Sequence, residues 1–420
     1  MPSLIPFILI ISILLRFIIP TLLPNLSQLL DQSPIFSTPI NSYRTLKEAV
    51  FLATNSLNPY KQGEIIHHPP ILLEVFKHLQ SPTLINLFFA LVDTLFGLQL
   101  IKLNQQLSKK DSKHTYFPSY IIAAFYTFNP LALLATFAKS TYLINNLVII
   151  TLLNSLLSNP FSLFPYFLLA LSTSLTYYSW YFIVPLLAYS SRQATNHHLP
   201  SSPIIVKGII AFLSSLSLLT FINYKLSASS FNFIQLVYGT IVSFKKITPN
   251  LGLWWYFFTE IFEFFSAFYT AIFNLYSFIF IVPMTMRFIG PSTSTTADAL
   301  FAIWCEIGFV NFSRAYPTIT DLNLYFSLSM LFKPLYRKLK FPTAVSNLAM
   351  FTALLLLPVF YYVWMGFNSG NANFFYAMGL VHNLIQVLML TDFIWSKLQI
   401  EYYDTHEIDI DKVNLKLTQI

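Results

Sequence analysis

The sequence predicts an all-α polytopic membrane protein, and three observations predict it. Hydrophobic residues make up 55% of the 420-residue chain and charged residues only 10%, with a mean hydropathy of +0.61, a combination no water-soluble globular domain sustains. Apolar runs near the roughly 20 residues a helix needs to cross a bilayer follow one another almost from end to end. The 43 Phe and 24 Tyr suit helices that face lipid or one another, with Tyr and Trp gathered at headgroup level. Segments this continuous predict one integral membrane domain, 1–420, rather than several modules.

On the length rule, twelve spans are expected, near 4–23, 84–101, 117–137, 142–157, 161–175, 177–190, 204–224, 252–285, 298–312, 320–333, 342–365 and 374–396. The short ones at 142–157, 161–175 and 177–190 allow half-buried or re-entrant segments, so the expected range is ten to twelve. The first run, "MPSLIPFILIISILLRFIIPTLL", has the composition of a signal peptide. Arg16 interrupts its apolar stretch and Leu22 to Pro24 offer no small-residue cleavage site, so it is read as a retained span.

Orientation follows from the Lys and Arg residues of the loops. With the N-terminus cytosolic, fourteen fall on the cytosolic side and nine opposite. The two dense clusters, Lys102, Lys109, Lys110, Lys113 and Lys333, Arg337, Lys338, Lys340, then share one side. Cytosolic loops are expected near 102–116, 191–203 and 333–341, with a cytosolic tail at 397–420 and both termini cytosolic. The net charge of +7 therefore reports topology, not a nucleic-acid footprint, because the basic residues are spread over short loops. The longest loop, 24–83, lies on the lumenal or external side. Its "SYRTLKEAVFLATNS" at 42–56 puts Leu46, Val50 and Ala53 on one face and reads as an interfacial amphipathic helix. The following "NPYKQGEIIHHPPILL" turns through Pro59 and Gly63 and closes with Pro69-Pro70. A second such stretch, 228–250, runs on the same side.

Chemistry-bearing clusters are few. His67, His68 and Glu64 are the metal-type ligands, but Pro69-Pro70 ends any helix there and adjacent histidines on an extended chain point to opposite faces. The segment reads as a packed turn, with no metal or cofactor expected. Cys305, alone in an apolar stretch, reads as a small buried hydrophobe. Charged groups inside or at the mouths of spans need partners or a polar cavity; these are Asp93, Lys139, Glu260, Glu263, Glu306, Asp321 and Asp392. Glu260 and Glu263, one turn apart, are expected to share an inward face, as hydrogen-bonding groups or as the lining of a groove. Asn145-Asn146 and Asn250 sit at lumenal mouths and suit capping or turns. Trp254, Trp255 and Tyr256 suit an interfacial belt. Asn25 and Asn311 lie in N-x-Ser sequons too close to spans for glycosylation to be expected.

The stretch "FNSGNANFFYAM" at 367–378 is a polar island between two apolar runs. Gly370 would allow a tight turn there, with Phe374, Phe375 and Tyr376 starting the return into the membrane. Three Asn and one Ser within six positions exceed what a turn needs. Two readings stand: a turn with interfacial aromatics, or a headgroup site in which Asn371 and Asn373 present donors and acceptors while the aromatics wall an acyl entrance.

The blocks "LNPYKQGEIIHHPPILL", "FNPLALLATFAKSTYLINN", "ITPNLGLWWYFFTEIFEFF", "SRAYPTITDLNLYF", "SGNANFFYAM" and "DFIWSKLQIEYYDTHE" resemble successive blocks of the PIG-U family, the multi-span subunit of glycosylphosphatidylinositol (GPI) transamidase, in order over nearly the whole chain. The compact loops are similar to those of a fungal member. The resemblance implies a non-catalytic subunit in the endoplasmic reticulum that helps bind the GPI glycolipid or the C-terminal signal peptide. Its partners would be membrane lipids and the other transamidase subunits, including a cysteine-protease-like one that cuts the peptide, with no nucleic acid. With that function, the polar island and the mouth at 250–256 make Asn371, Asn373, Phe374, Phe375, Tyr376, Asn250, Trp254 and Trp255 the expected lipid site, with Glu260, Glu263, Asp321 and Asp392 as intramembrane polar groups. The resemblance also implies a fold like that of the GT-C glycosyltransferases, whose first lumenal loop carries a carboxylate pair. Here Asp31 stands alone and "STPIN" occupies the region of the pair. An active mannosyltransferase using dolichol-phosphate mannose, with Asp31 or Glu48 as base, is the alternative.

Overall fold

The computed structural model describes residues 4–61, 65–111, 114–291 and 294–407. Gly63, Glu64, Lys113, Lys412, Lys416 and the tail beyond 407 lie outside the described residues. Among the described residues the chain is helical throughout, without strands. In order the helices are α1 Leu4–Leu22, α2 Pro24–Gln32, α3 Tyr43–Thr54, α4 Pro70–Lys77, α5 Pro82–Lys110, α6 Ser119–Thr127, α7 Pro130–Phe137, α8 Tyr142–Ser158, α9 Phe164–Leu175 and α10 Ile183–Asn196. They continue as α11 Ser201–Leu226, α12 Asn232–Ile234, α13 Thr240–Val242, α14 Trp254–Glu260, α15 Glu263–Ile279, α16 Ile281–Phe288, α17 Thr296–Ser313, α18 Ile319–Ser329, α19 Thr343–Met365 and α20 Ala372–Thr405.

Six helical stretches among the described residues are long and apolar enough to cross a membrane, or seven with α6 and α7 taken as one bent span. The twelve expected from hydropathy are thus not matched by helix length. Hydropathy counts apolar residues wherever they face. Here much of that surface lies on shorter helices packed inside the protein, such as the 17-residue α8 and the 12-residue α9. The expected span at 252–285 is broken, because Ile261 and Phe262 are extended between α14 and α15.

The bundle is antiparallel where α1 meets α5, with Ser12 beside Thr94, Arg16 beside Asp93 and Thr21 beside Asn86. α1 buries only Ser12, Arg16 and Pro20, a polar stripe at four-residue spacing on an otherwise apolar helix. The same stripe solves a problem set by Pro130. Asn129 caps α7 by accepting the Leu131 N–H, and α6 and α7 meet at 46°. That break takes the i+4 donors from the Tyr126 and Thr127 carbonyls, leaving Tyr126 only a 3.3 Å bond from the Asn129 N–H, a costly state where water is absent. The Arg16 guanidinium donates to both at 3.1 Å. Its charge is matched by Asp93, to which Tyr126 also donates at 2.5 Å, and Arg16 and Asp93 are both fully buried. Gly97 lets the Tyr126 ring lie against α5, since a Cβ there would stand 2.7 Å from Cδ1 of that ring.

At one end of the bundle, α2, α3 and α4 pack over the mouths of the spans; the other end gathers the C-termini of α5 and α20. The amphipathic helix expected at 42–56 is α3, capped by Ser42, with Leu46 and Ala49 buried. Because α1 runs antiparallel to α5, both described termini lie at the α20 C-terminal end.

The Arg16–Asp93 pair gives a direct test. Removing one partner strands the other charge, so Arg16→Ala or Asp93→Ala should cost about 3–5 kcal/mol, whereas Arg16→Met with Asp93→Leu recovers only the part due to the stranded charge, because the Tyr126 and Thr127 carbonyls and the Tyr126 hydroxyl still lose their partners. Thermal unfolding of the purified protein in detergent measures both.

Candidate functional site

The helix starting at Ala372 owes its first turn to Asn371, whose side chain accepts from the Asn373 N–H at 2.7 Å. The chain turns back beforehand through Asn368, which has φ +53°, a left-handed conformation that Asn tolerates better than most residues. Gly370 was the expected turning residue. Its role is instead close approach, since a Cβ there would sit 3.1 Å from Cγ1 of Val363.

Asn371, Asn373 and Phe374 are exposed, and beneath them lies an aromatic platform from α14, α19 and α20. Tyr376 stacks on Tyr256 with centroids 4.6 Å apart and donates to the Leu253 carbonyl at 3.2 Å. Tyr256 in turn donates to the Asn373 side-chain oxygen. Trp255 stacks on Trp364 at 6.0 Å and meets Phe375 at 5.8 Å, while Phe374 lies flat on Phe360 at 5.8 Å. The result is a ledge, with amide groups on the rim and aromatic faces as its floor and wall.

Three expected site residues belong to the floor. Asn250, Trp254 and Trp255 are at most 3% exposed, so Trp254 and Trp255 are core residues and form no belt. Asn250 accepts from the Gly252 N–H at 2.7 Å and donates to the Ala315 carbonyl, and Trp254 donates its indole N–H to the Ser313 carbonyl at 2.7 Å. Glu260 and Glu263 fall on opposite sides of the extended Ile261–Phe262 break and are both exposed, so they share no inward helical face.

The remaining polar groups tie elements together. Asp321 closes a capping box with Thr318 and pairs with Arg314, whose guanidinium lies 4.7 Å from the Tyr178 ring and 5.0 Å from the Tyr142 ring. Asp392 accepts from the Lys340 and Phe341 N–H groups at 2.7 and 3.0 Å. Asn145 accepts from the Ser172 hydroxyl and Asn146 donates to the Thr320 carbonyl, so these bridge helices and cap nothing. Asn311 of the second sequon is buried and donates to the Asp321 carbonyl. Sequence reading missed Arg314, and also Asn383, which donates to the Leu251 carbonyl and holds α20 against the loop beneath the ledge. The signal for Asn383 was there, as a polar residue inside an apolar run.

Of the described carboxylates of the long loop, Asp31 is tied into the chain, Glu48 lies exposed on α3 and Glu74 pairs with Lys77 at 2.8 Å. Asp31 accepts from Ser37, Ser42 and the Arg44 N–H, which fixes the turn into α3. Burial raises its pKa above the usual carboxylate value, and those hydrogen bonds oppose the rise. His68 Nε2 sits 2.9 Å from the Ser42 carbonyl, so that nitrogen carries the proton, and Thr45 lies 3.1 Å away. His67 Nδ1 is 2.6 Å from the Leu236 carbonyl. The two rings serve different elements.

Fold and site together define a multi-span helical membrane protein with a solvent-facing amide ledge at one end of its bundle. A family model described as GPI transamidase subunit PIG-U matches residues 10–382. The chain is 35% identical over 410 residues, 97% of each chain, to the GPI transamidase component GAB1 of Saccharomyces cerevisiae. It is 29% identical over 408 residues, 91% of each, to the human GPI-anchor transamidase component PIGU. The chain belongs to the PIG-U family.

His68 makes the loop acid-sensitive. Burial lowers its pKa from 6.5 to about 4, so it stays neutral in the fold where the unfolded chain binds a proton. Its contribution is complete above pH 6.5 and is lost as pH falls toward 4, on the order of 3 kcal/mol at most. Unfolding midpoints followed from pH 7.5 to 4.5 should fall more steeply for the native protein than for His68→Gln.

Proposed function

We propose that the chain acts in the endoplasmic reticulum membrane as a non-catalytic subunit of GPI transamidase, with both termini cytosolic. There it positions the GPI lipid anchor, or the C-terminal signal peptide, for attachment. The observation that carries this reading is the ledge. Asn371 and Asn373 stand exposed on its rim above Tyr256 and Tyr376, and Phe374 continues the wall onto the apolar flank of α19. Amides offer donors and acceptors to an inositol, phosphate or glycan, and aromatic faces suit acyl chains or sugar rings. Such a surface accelerates transfer by holding the acceptor in register, not by bond chemistry.

Two further features support a non-catalytic role. Cys305 is fully buried within α17, leaving peptide cleavage to the cysteine-protease-like partner. Of the two candidate bases of the mannosyltransferase alternative, Asp31 is held by three donors in a structural turn and Glu48 lies exposed on α3, and the relatives lend that alternative no support.

The test must separate capping from recognition, because Asn371 also starts α20. Asn371→Ser keeps a capping oxygen and removes the amide, whereas Asn371→Ala removes both. Asn373→Leu removes its amide, and Tyr256→Phe controls for loss of the internal bond. GPI attachment to a secreted reporter should fall roughly tenfold in Asn371→Ser and Asn373→Leu, as expected for a lost interaction near 1.4 kcal/mol. The cysteine-protease-like subunit should still co-purify. Normal attachment in both variants with intact assembly would remove the ledge from the lipid site.

A further inference from the structure

At the end of the bundle opposite the ledge, about 45 Å along α20 from Asn371 to Glu401, the structure encloses a cavity of about 330 Å³. Its floor is apolar, formed by Phe288, Phe301, Phe332, Leu335 and Ile400, each nearly inaccessible to solvent. Its rim is charged and built by four separate parts of the chain. Arg287, at the end of α16, makes a two-pronged pair with Glu401 of α20 at 2.9 and 3.2 Å. Lys397 of α20 pairs with Asp298 of α17. His114, beyond α5, lies between Asp111 at 3.0 Å and Asp404 at 3.6 Å.

Among the described residues, four carboxylates and two permanent cations line this space. Basic residues occur at the same end of the bundle, with Lys109 and Lys110 in the last turn of α5 and Lys338 4.9 Å from the Tyr403 ring of α20. A rim that carries both signs of charge over an apolar floor matches an amphiphile with separated charges of both signs. A phosphate suits Arg287, which is 45% exposed at the rim and would exchange Glu401 for the ligand. A cation suits the Asp111 and Asp404 side.

The kind of cation is also decided by the rim. Quaternary ammonium groups are recognised by aromatic cages; here the Phe288, Phe301 and Phe332 rings belong to the floor, and the side carrying Asp111 and Asp404 offers polar partners, His114 and the Tyr116 hydroxyl, which donates to Asp111 at 2.7 Å. Carboxylates instead favour an ammonium that can donate hydrogen bonds. An extra carboxylate on the ligand, as in a serine headgroup, would add repulsion to a mouth already in acidic excess. We infer that this cavity binds the headgroup of a zwitterionic membrane phospholipid bearing a primary amine, ethanolamine-type, at the bundle end opposite the ledge. Its volume admits a headgroup and glycerol, leaving the acyl chains along the helices outside.

The test uses the full-length protein in its complex, reconstituted in nanodiscs with equal parts ethanolamine-, choline-, serine- and glycerol-headgroup phospholipids of matched chains. After extraction in mild detergent, native mass spectrometry counts the retained lipids. Roughly tenfold retention of the ethanolamine lipid over the choline lipid is expected, the ratio for about 1.4 kcal/mol. Asp404→Asn, at a side chain 43% exposed and so tolerated by the fold, should bring the ratio near one. Asn373→Leu, on the ledge at the far end of α20, should leave the native ratio unchanged. Equal retention of ethanolamine and choline lipids by the native protein, preference for an anionic lipid, or selectivity that survives Asp404→Asn would each overturn the assignment.

Discussion

The first half of the bundle depends on one buried arginine. A helix broken inside a membrane deprives carbonyl groups of their i+4 donors where no water can replace them, and the break before Pro130 creates such a pair at Tyr126 and Thr127. Arg16 supplies both donors from another helix, and Asp93 offsets the charge that this brings into the interior. Each partner would be costly alone. Together they fix the depth of α1, the rotation of α5 and the direction of α7, and Asn129 passes the constraint on to α18 by donating to Asn323 at 2.9 Å.

The end of the bundle bearing the ledge follows the same rule with different residues. Arg314 and Asp321 close the short connection between α17 and α18, and the Tyr142 and Tyr178 rings sandwich the guanidinium. The Ala315 N–H donates to the Tyr178 hydroxyl, the Ile319 N–H to the Ile35 carbonyl, and Asn250 to the Ala315 carbonyl. This connection therefore holds both the long loop and the segment leading into α14. The ledge rests on that support: Trp254 is anchored to Ser313, and Trp255 beside it carries Phe375 and Tyr376. A rigid floor beneath an exposed rim is the arrangement a positioning surface needs, because rim groups that shift cannot hold an acceptor in register.

Much of this was legible in the chain. Composition and run length required a helical membrane protein, the period of 42–56 required a surface helix, and Pro69-Pro70 ended the turn before α4, whereas the breaks inside the expected spans 117–137 and 252–285 were not read. The polar island at 367–378 was equally plain, since Asn and Ser clustered between Phe-rich runs have few bland explanations. Partner identities were harder to see. Asp93 was recognisable as a charge in need of a partner, but its partner lies 77 positions away, and Asp321 was recognised without Arg314 only seven positions earlier. Glu260 and Glu263 misled because a helical period was assumed through a segment that extends at Ile261.

The sequence by itself determined the class of protein, the placement of its apolar and polar stretches and its family, because all three depend on residue type and order along the chain. Tertiary structure alone decided which polar groups face outward and which hold helices together. Asn250 and Asn373 are the same residue in similar polar, aromatic-rich surroundings, yet one is buried under a turn and the other is exposed on a rim. The physical reason is that an amide in a membrane protein must find a partner, and that partner comes from whichever distant backbone the packing brings within about 3 Å, a distance that residue order does not encode.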